Sequence, residues 1–120
     1  MTDHPEMDLV VTIVPRGNAT EVRKAGHDAG AEGCTILHGI GTGIHERKKL
    51  MGVRIMPEKD IVLTLVPRAI ADTVVEAIVA AAELNHSGTG LCFTVPADRI
   101  HGIHRNLPGE GDGGGGEDDA

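Results

Sequence analysis

Residues 8–16 read Asp-Leu-Val-Val-Thr-Ile-Val-Pro-Arg, and residues 60–68 read Asp-Ile-Val-Leu-Thr-Leu-Val-Pro-Arg. The two phrases start 52 positions apart and differ only by exchanges among Leu, Ile and Val. They divide the chain into two equivalent halves, each continuing with a helical pattern and a glycine-introduced strand. A duplicated β-α-β unit folds into a sheet with helices packed on it, so this repeat decides the fold class.

The strands are predicted from the distribution of apolar residues. Leu9–Val14 and Ile61–Val66 are apolar at odd and even positions alike, apart from one Thr in each. That pattern is typical of central strands buried on both faces, since a strand covered on one face alternates apolar with polar residues. Shorter return strands are predicted at Cys34–His38 and Leu91–Val95, each introduced by glycine.

Two helices are predicted between these strands. Asn18 followed by Glu21 has the spacing of a capping box, and the helix should run to about Ala29, with Gly30 as its stop. A second helix is predicted over Ala69–Leu84. The expected inward residues are Val22, Ala25 and Ala29 in the first helix and Ile70, Val74, Ile78 and Ala81 in the second.

These elements predict an α+β fold, the ferredoxin-like βαββαβ arrangement with two helices on one face of a four-stranded antiparallel sheet. The other face is left uncovered although its residues are apolar. A contiguous exposed apolar patch on a soluble domain is usually an interface. Another copy of the chain would cover it, and we therefore expect a closed homo-oligomer whose sheets face inward.

Composition sets the domain limits. We place one folded domain at 8–107, after an N-terminal extension at 1–7 and before a disordered Gly/acidic tail at 108–120. The tail holds five of the 18 acidic residues, which leaves 13 acids against 11 bases in the remainder, so the formal charge of −7 is mostly a property of the tail. Phe93 is the single aromatic residue. Without aromatic stacking platforms, no nucleic-acid partner is expected.

Several function classes are disfavoured. Residues 1–7 show no leader pattern and no apolar run reaches membrane-spanning length, so we expect a cytoplasmic protein that contacts membranes only through a partner. The two cysteines, Cys34 and Cys92, are expected to be reduced, packed thiols. No nucleophile–base pair is indicated, because Cys34 has no evident partner and the acids are scattered, so a non-enzymatic function is expected.

Three further segments, together with the repeated phrase, resemble the PII signal-transduction superfamily. They are Gly33–Gly43 (GCTILHGIGTG), Glu76–Val79 (EAIV) and Gly88–Pro96 (GTGLCFTVP). The resemblance covers roughly Leu9 to His104 and is that of a divergent PII-like, nitrogen-regulatory-type protein. It implies a homotrimer of ferredoxin-like subunits that binds an adenine nucleotide (ADP, ATP or AMP) between subunits. It also implies regulation of a transporter, enzyme or regulator through the loop after the second strand.

The glycine-rich segments are the expected nucleotide site. Glycine allows close approach of the backbone to phosphates, and successive bare N–H groups make an anion nest. The resemblance implies that Gly33, Cys34 and Thr35 face the nucleotide of a neighbouring subunit. The expected nucleotide-binding residues are Gly33, Cys34, Thr35, Gly39, Gly41, Thr42, Gly43, Gly88, Thr89, Gly90, His104 and Arg105. The alternative, that these glycines serve only turn geometry, stays open.

The loop at 41–57 is the expected partner-binding segment, and the regulated protein itself is unidentified. Its basic residues are Arg47, Lys48, Lys49 and Arg54. They either keep a mobile loop solvated or contact an acidic patch on the partner.

The chain departs from the family pattern at its charged ligands. Leu91 stands where typical members carry a phosphate-pairing Lys, and Gly102 and His104 stand where they carry two Arg, with Arg99 and Arg105 offset nearby. Loss of these cations should weaken nucleotide binding. The chain also lacks Gln and Tyr, which argues against typical oxoglutarate sensing and excludes uridylylation on tyrosine.

Seven histidines leave a metal-binding alternative open. His101 and His104 lie three positions apart, and His38 and His86 could approach the same cleft. The copper-tolerance CutA-like proteins share the trimeric fold, so the alternative is a CutA-like trimeric divalent-metal-binding protein. Spacing alone assigns no metal ligand.

Overall fold

The structure, a computed structural model, describes residues 6–43, 49–50, 53–54 and 56–103. The first half comprises β1 (Met7–Pro15), α1 (Ala19–Asp28) and β2 (Thr35–Ile40). The second half comprises β5 (Glu58–Pro67), α2 (Arg68–Ala81) and β6 (Leu91–Ala97). Between the halves, the short strands β3 (Lys49–Leu50) and β4 (Val53–Arg54) pair with each other inside the long loop, where the sequence shows no clear periodicity.

The main sheet has four antiparallel strands in the order β2-β5-β1-β6. The central strands β1 and β5 pair over their whole length, from Met7 opposite Pro67 to Pro15 opposite Lys59. The return strands take the edges, β6 beside β1 and β2 beside β5. The predicted α+β, ferredoxin-like arrangement is thus confirmed, and the two copies of the repeated phrase are its central strands.

The core lies between the sheet and the two helices. The helices fully cover one face of each central strand, and equivalent residues of the repeat are buried there in both strands. Each enclosed Val or Ile side chain contributes about 1.5–3 kcal/mol relative to an exposed one. The enclosed residues are Val10, Thr12 and Val14 of β1, Val62, Thr64 and Val66 of β5, Val22 of α1, and Val74 and Ile78 of α2.

The N-terminus of α1 is capped from the sheet. Asn18 makes no capping hydrogen bond through its side chain, so the predicted capping box was wrong. The Oδ2 atom of Asp60 instead accepts hydrogen bonds from the N–H groups of Gly17 at 2.9 Å and Ala19 at 3.3 Å. Its Oδ1 atom lies 2.8 Å from Nδ1 of His38. These contacts, the Gly17 bond foremost, lower the pKa of the Asp60 carboxyl group.

The second helix is shorter than predicted. It ends at Ala81 rather than at Leu84, because the chain turns there and Glu83 adopts a positive φ of 56°. Ala81 was predicted to point inward but is exposed, whereas Ala71 and Ala82 are buried. Contact with the sheet and α1 therefore determines which side of α2 is buried. The apolar pattern alone did not determine it, because the helix has more apolar residues than one buried face can hold.

Equivalent ion pairs join the two halves. Arg16, after β1, pairs with Glu58 at the start of β5. Arg68, after β5, pairs with Glu6 at 2.8 Å and with Asp8 at 2.9 Å. Backbone hydrogen bonds repeat the relation, from the N–H of each arginine to the carbonyl of the same glutamate. Exposed ion pairs contribute little stability, so their importance lies in marking the internal twofold relation of the repeat.

Among the helices that the structure describes, none is long and apolar enough to cross a membrane.

Candidate functional site

The sheet face that points away from the helices, here named the open face, carries a three-by-three apolar array. Its rows are Leu65-Leu9-Val95, Leu63-Val11-Phe93 and Ile61-Ile13-Leu91, each read across β5, β1 and β6. The β6 members are the most exposed, with Leu91 at 47% and Phe93 at 44%. In a single chain the open-face residues of β1 and β5 are only partly buried, since both helices of the described part of the chain pack on the other face. The prediction that the central strands are buried on both faces therefore fails within one chain.

A cavity of about 380 Å³ lies at one end of the open face, and we name it the sheet-end cavity. The last row of the array forms its floor, and two glycine-rich segments close its sides. The lining residues are Ile13, Ile40, Gly41, Thr42, Gly43, Lys59, Ile61, Gly88, Gly90 and Leu91. The structure thus brings together the glycines of the loop base and those before β6, which the sequence analysis assigned to one site.

The loop base is tied across its two ends. The N–H of Gly41 donates to the carbonyl of Pro57 at 3.0 Å, and the Thr42 hydroxyl lies 3.1 Å from the sulfur of Met56. The Gly41 amide is therefore engaged within the loop base. A Cβ atom at Gly41 would meet no atom within 4 Å, and its φ lies outside the left-handed region. The fold of this chain does not itself require glycine at this position.

The turn before β6 does require glycine. Gly88 and Gly90 have φ angles of 84° and 134°. A Cβ atom at Gly90 would lie 2.4 Å from the carbonyl oxygen of Ile13. The Thr89 hydroxyl is also used by the fold, since it lies 2.7 Å from the carbonyl oxygen of Glu83 in the turn after α2. Turn geometry therefore accounts for Gly88 and Gly90 by itself.

Gly33 and Cys34 lie elsewhere in the same chain. They line a smaller cavity of about 130 Å³ together with Arg23, His27, Ala31, Glu32 and Thr64. Thr35 follows them at the start of β2, opposite Leu63. Burial raises the pKa of the Cys34 thiol, and of the Cys92 thiol likewise, so both are protonated at neutral pH. A protonated thiol is a poor nucleophile.

Four of the predicted site residues, Arg47, Lys48, His104 and Arg105, lie outside the described residues and stay predictions. Lys49 and Arg54 fall in β3 and β4. Gly39 lies within β2 opposite Lys59 of β5.

Lys59 is a lining residue that the sequence analysis missed. Its side chain borders the sheet-end cavity, and the residue is only 7% exposed. Strand alternation could have located it, because Lys59, Ile61 and Leu63 share one face of β5. Lys59 lies one position before the repeated phrase, so the repeat does not include it.

The histidines predicted for a metal site are not seen to converge. His38 bonds to Asp60 at the N-terminus of α1, whereas His86 lies in the turn after α2. In the part of the chain that the structure describes, no three His, Cys, Asp or Glu residues form a group that could hold a metal ion. His104 lies outside that part, so the metal alternative is left as a prediction.

The family model for Nitrogen regulatory protein P-II matches residues 7–106. The chain therefore belongs to the PII family, as the resemblance of its glycine segments and repeated phrase implied. No match was found among curated proteins.

Among solved structures, the chain is similar to a Bacillus cereus protein related to NIF3, with 29% identity and a TM-score of 0.61. The match covers 82% of this chain and 27% of the other, so the chain spans about a quarter of that protein's length.

Proposed function

We propose that this chain is a non-enzymatic, cytoplasmic PII-like signalling protein that binds an adenine nucleotide, ADP or ATP, between subunits. The nucleotide would control how the loop at 41–57 engages a regulated transporter, enzyme or regulator. The observation that carries this proposal is the sheet-end cavity, where Gly41–Gly43 and Gly88–Gly90 meet although they are distant in sequence. A ligand held there lies against the base of the loop.

The open face supports the homotrimer that the PII resemblance implies. Nine apolar residues in three rows form a surface that a soluble protein seldom leaves to water. A closed cyclic assembly covers the same face on every subunit, which satisfies this surface without leaving a free edge. The sheet-end cavity opens from that face, so a neighbouring subunit would complete it. Gly33, Cys34 and Thr35, which line no part of the cavity in their own chain, are the residues proposed to do so.

The mechanism we propose is a shift between loop conformations. The Gly41–Pro57 and Thr42–Met56 contacts fix how the two ends of the loop leave the sheet. A nucleotide beside Gly41–Gly43 that favours one exit geometry over another would change the population of partner-competent loops. The shift can be no larger than the difference in nucleotide affinity between the two states. Arg47, Lys48, Lys49 and Arg54 are the residues proposed to contact an acidic patch on the partner.

Isothermal titration calorimetry with ADP tests this proposal, and Gly41→Val is the informative variant. Because nothing lies within 4 Å of a Cβ at Gly41, the larger side chain should enter the cavity without disturbing the fold. We expect about one ADP per chain for the unmodified protein and loss of binding in Gly41→Val. Thr20→Val, on the exposed side of α1, is the matched control and should bind normally. Absence of heat with the unmodified protein at high micromolar ADP would refute nucleotide binding.

A further inference from the structure

We propose that the smaller cavity lined by Cys34 and Thr64, here named the Cys34 cavity, binds a small tetrahedral oxyanion such as inorganic phosphate. The proposal does not depend on nucleotide binding at the sheet-end cavity. The Cys34 cavity has a volume of about 130 Å³. Pockets for drug-sized ligands hold about 300–1,000 Å³, whereas one water molecule takes up about 30 Å³. The Cys34 cavity therefore suits a ligand of only a few heavy atoms.

The Cys34 cavity lies on the helix side of the sheet. Thr35 pairs with Leu63 of β5, which belongs to the array on the open face. Successive residues of a strand point to opposite faces, so Cys34 and Thr64 point toward α1, and Cys34 packs against the core there. A ligand in this cavity is thus separated by the sheet from the open face and from the sheet-end cavity.

The Thr64 hydroxyl group is the observation that points to a ligand. Thr64 is only 3% exposed, and within the described part of the chain its hydroxyl has no hydrogen-bond partner. No fully enclosed side-chain oxygen in that part lacks a partner, so the Thr64 oxygen is reached from the cavity that it lines. In the other half, the hydroxyl of the equivalent Thr12 lies 3.6 Å from Sγ of Cys92. Since buried hydroxyl groups are normally hydrogen-bonded, a ligand would supply the partner that Thr64 lacks.

Two nitrogen donors border the Cys34 cavity from α1. Arg23 and His27 are four positions apart, so they share one side of the helix. Neither side chain makes an ion pair or a hydrogen bond with another described residue. The Arg23 guanidinium is close enough to the Cys34 thiol to oppose, in part, the rise in its pKa that burial causes. A guanidinium group binds oxyanions through paired N–H donors, so an oxyanion is the class of ligand that this set of donors favours.

The features that would oppose an anion are already engaged. Glu32, which also borders the cavity, makes an interaction of its own within the protein. The C-terminal end of a helix carries partial negative charge, but the carbonyl group of Gly26 in α1 accepts a hydrogen bond from the N–H of Ala31 at 2.9 Å. Burial keeps Cys34 protonated, so its sulfur carries a weak S–H donor rather than a negative charge.

The internal repeat shows that the fold does not need charged donors at these positions. The three buried residues of α1 and those of α2 lie 52 positions apart, so the same count relates the two helices. By that count, Arg23 and His27 correspond to Val75 and Val79, which are half-buried. Apolar side chains are therefore acceptable at both positions. The charged donors occur in the half whose buried threonine has an unpartnered hydroxyl, which indicates a ligand rather than a packing role.

Titration with inorganic phosphate, followed by nuclear magnetic resonance of the backbone amides at constant ionic strength, tests the proposal. We expect saturable shifts of the Gly33, Cys34 and Thr64 amide signals, with a dissociation constant of about 0.1–10 mM for so small a ligand. Thr64→Val keeps the shape of the side chain but removes the hydroxyl, and it should weaken phosphate binding about 10-fold or more. Thr12→Val makes the same change in the other half and is the matched control, which should bind phosphate normally.

A second pair of variants tests the charge. Arg23→Gln should weaken phosphate binding about 10-fold or more, whereas Lys24→Gln, which removes an equally exposed charge from α1, should not. Gly41→Val alters only the sheet-end cavity and should leave phosphate binding unchanged. Glycerol 3-phosphate distinguishes two sources of the same chemistry. Weaker binding than that of inorganic phosphate assigns the site to the free ion, and equal or tighter binding assigns it to the phosphate group of a larger molecule.

Three results would overturn the inference. One is the absence of saturable shifts at these amides up to about 10 mM phosphate. Another is equal weakening within either matched pair, because stability or net charge would then explain the effect. The third is loss of the shifts in Gly41→Val with binding kept in Thr64→Val, which would place the anion in the sheet-end cavity. Should Thr64→Val not fold, Arg23→Gln and Lys24→Gln still decide the question. Failure of ADP to bind would refute the proposed function and leave this inference intact.

Discussion

Replacing Gly90 by alanine separates what the fold requires from what the ligand requires at the sheet-end cavity. The added Cβ would lie 2.4 Å from the carbonyl oxygen of Ile13 and 3.0 Å from Cγ1 of Val14, and the φ angle of 134° is strained for any other residue. A sparsely populated backbone conformation costs about 1–3 kcal/mol, and forcing extra atoms into a packed site costs about 1–3 kcal/mol. We therefore expect Gly90→Ala to lose about 2–6 kcal/mol, a large part of the roughly 5–15 kcal/mol of a typical domain.

Two neighbouring glycines provide graded controls. Gly88 has a φ of 84° but nothing within 4 Å of an added Cβ atom. Gly88→Ala should therefore be destabilised by backbone strain, as Gly90→Ala is, but not by a steric clash. Its expected loss is about 1–2 kcal/mol. Gly41 has neither feature, and Gly41→Ala should change stability by no more than about 1 kcal/mol. The predicted order of stability is therefore Gly41→Ala, then Gly88→Ala, then Gly90→Ala.

Urea unfolding followed by far-ultraviolet circular dichroism measures the three losses, since the chain contains no Trp or Tyr. All variants need the same chain concentration, because self-association changes apparent stability. The reasoning fails if Gly90→Ala is as stable as Gly41→Ala, which would mean that the strand end relaxes without cost. A large loss in Gly41→Ala would show that another part of the assembly fills the space that is open in a single chain.

Three further predictions follow from the cap and the open face. Asp60→Ala should lose about 2–5 kcal/mol at pH 7, combining a helix cap of about 0.5–2 with a hydrogen bond to a charged group of about 1.5–3. The pKa of the Asp60 carboxyl group is lowered in the folded state from its ordinary value of 3.8. The stability lost in Asp60→Ala should therefore be fully present above pH 3.8 and should shrink as the pH falls below that value. Urea unfolding of both proteins at pH 7 and pH 3 measures this change. Asn18→Ala should change stability by less than about 0.5 kcal/mol, and a larger loss would restore the capping role that its side chain lacks here. Leu63→Glu, in the middle row of the array, should reduce the sedimenting mass to that of one chain, whereas Thr20→Glu on α1 should not; an unchanged mass for Leu63→Glu would refute the covered open face.

The sequence was sufficient for the central strands because the signal there is local and duplicated. Val10, Thr12 and Val14 recur as Val62, Thr64 and Val66, and this repeat located both strands. Because the opposite faces are apolar too, the sequence predicted burial on both faces and did not show which face the helices enclose. The cap of α1 could not be predicted in this way. Asp60 is more than 40 residues from Gly17 and Ala19, and only the sheet register brings it to the helix. A local rule assigned the cap to Asn18, the nearest suitable side chain, and tertiary structure supplied a different one.

The glycines show the same limit from the functional side. Gly41 and Gly90 are alike in sequence analysis, where each is a glycine in a glycine-rich segment. In the structure a Cβ atom at Gly41 would meet no atom within 4 Å, whereas a Cβ atom at Gly90 would lie 2.4 Å from the carbonyl oxygen of Ile13. The difference depends on which strand packs against each glycine. Strand pairing decides this, and the residues adjacent in sequence do not reveal it. Their assignment to a common cavity could be predicted from the resemblance, whereas the steric requirement for glycine at Gly90 and its absence at Gly41 follow only from the folded structure.

Comparison of the two halves distinguishes the fold from the site. A duplicated unit keeps what the fold needs, and here that includes the enclosed valines and threonines and the arginines that pair across the halves. Where the two copies differ, the shared fold does not require one particular residue. The residue at such a position can therefore serve a function that only one half has. Lys59 against Met7 is such a difference, because both are buried, their neighbours are kept, and Lys59 borders the sheet-end cavity. The equivalent acids Asp8 and Asp60 are the same residue in both copies but differ in their contacts, since one pairs with Arg68 and the other caps α1. Divergence within the repeat therefore identifies the side chains whose role goes beyond the shared fold.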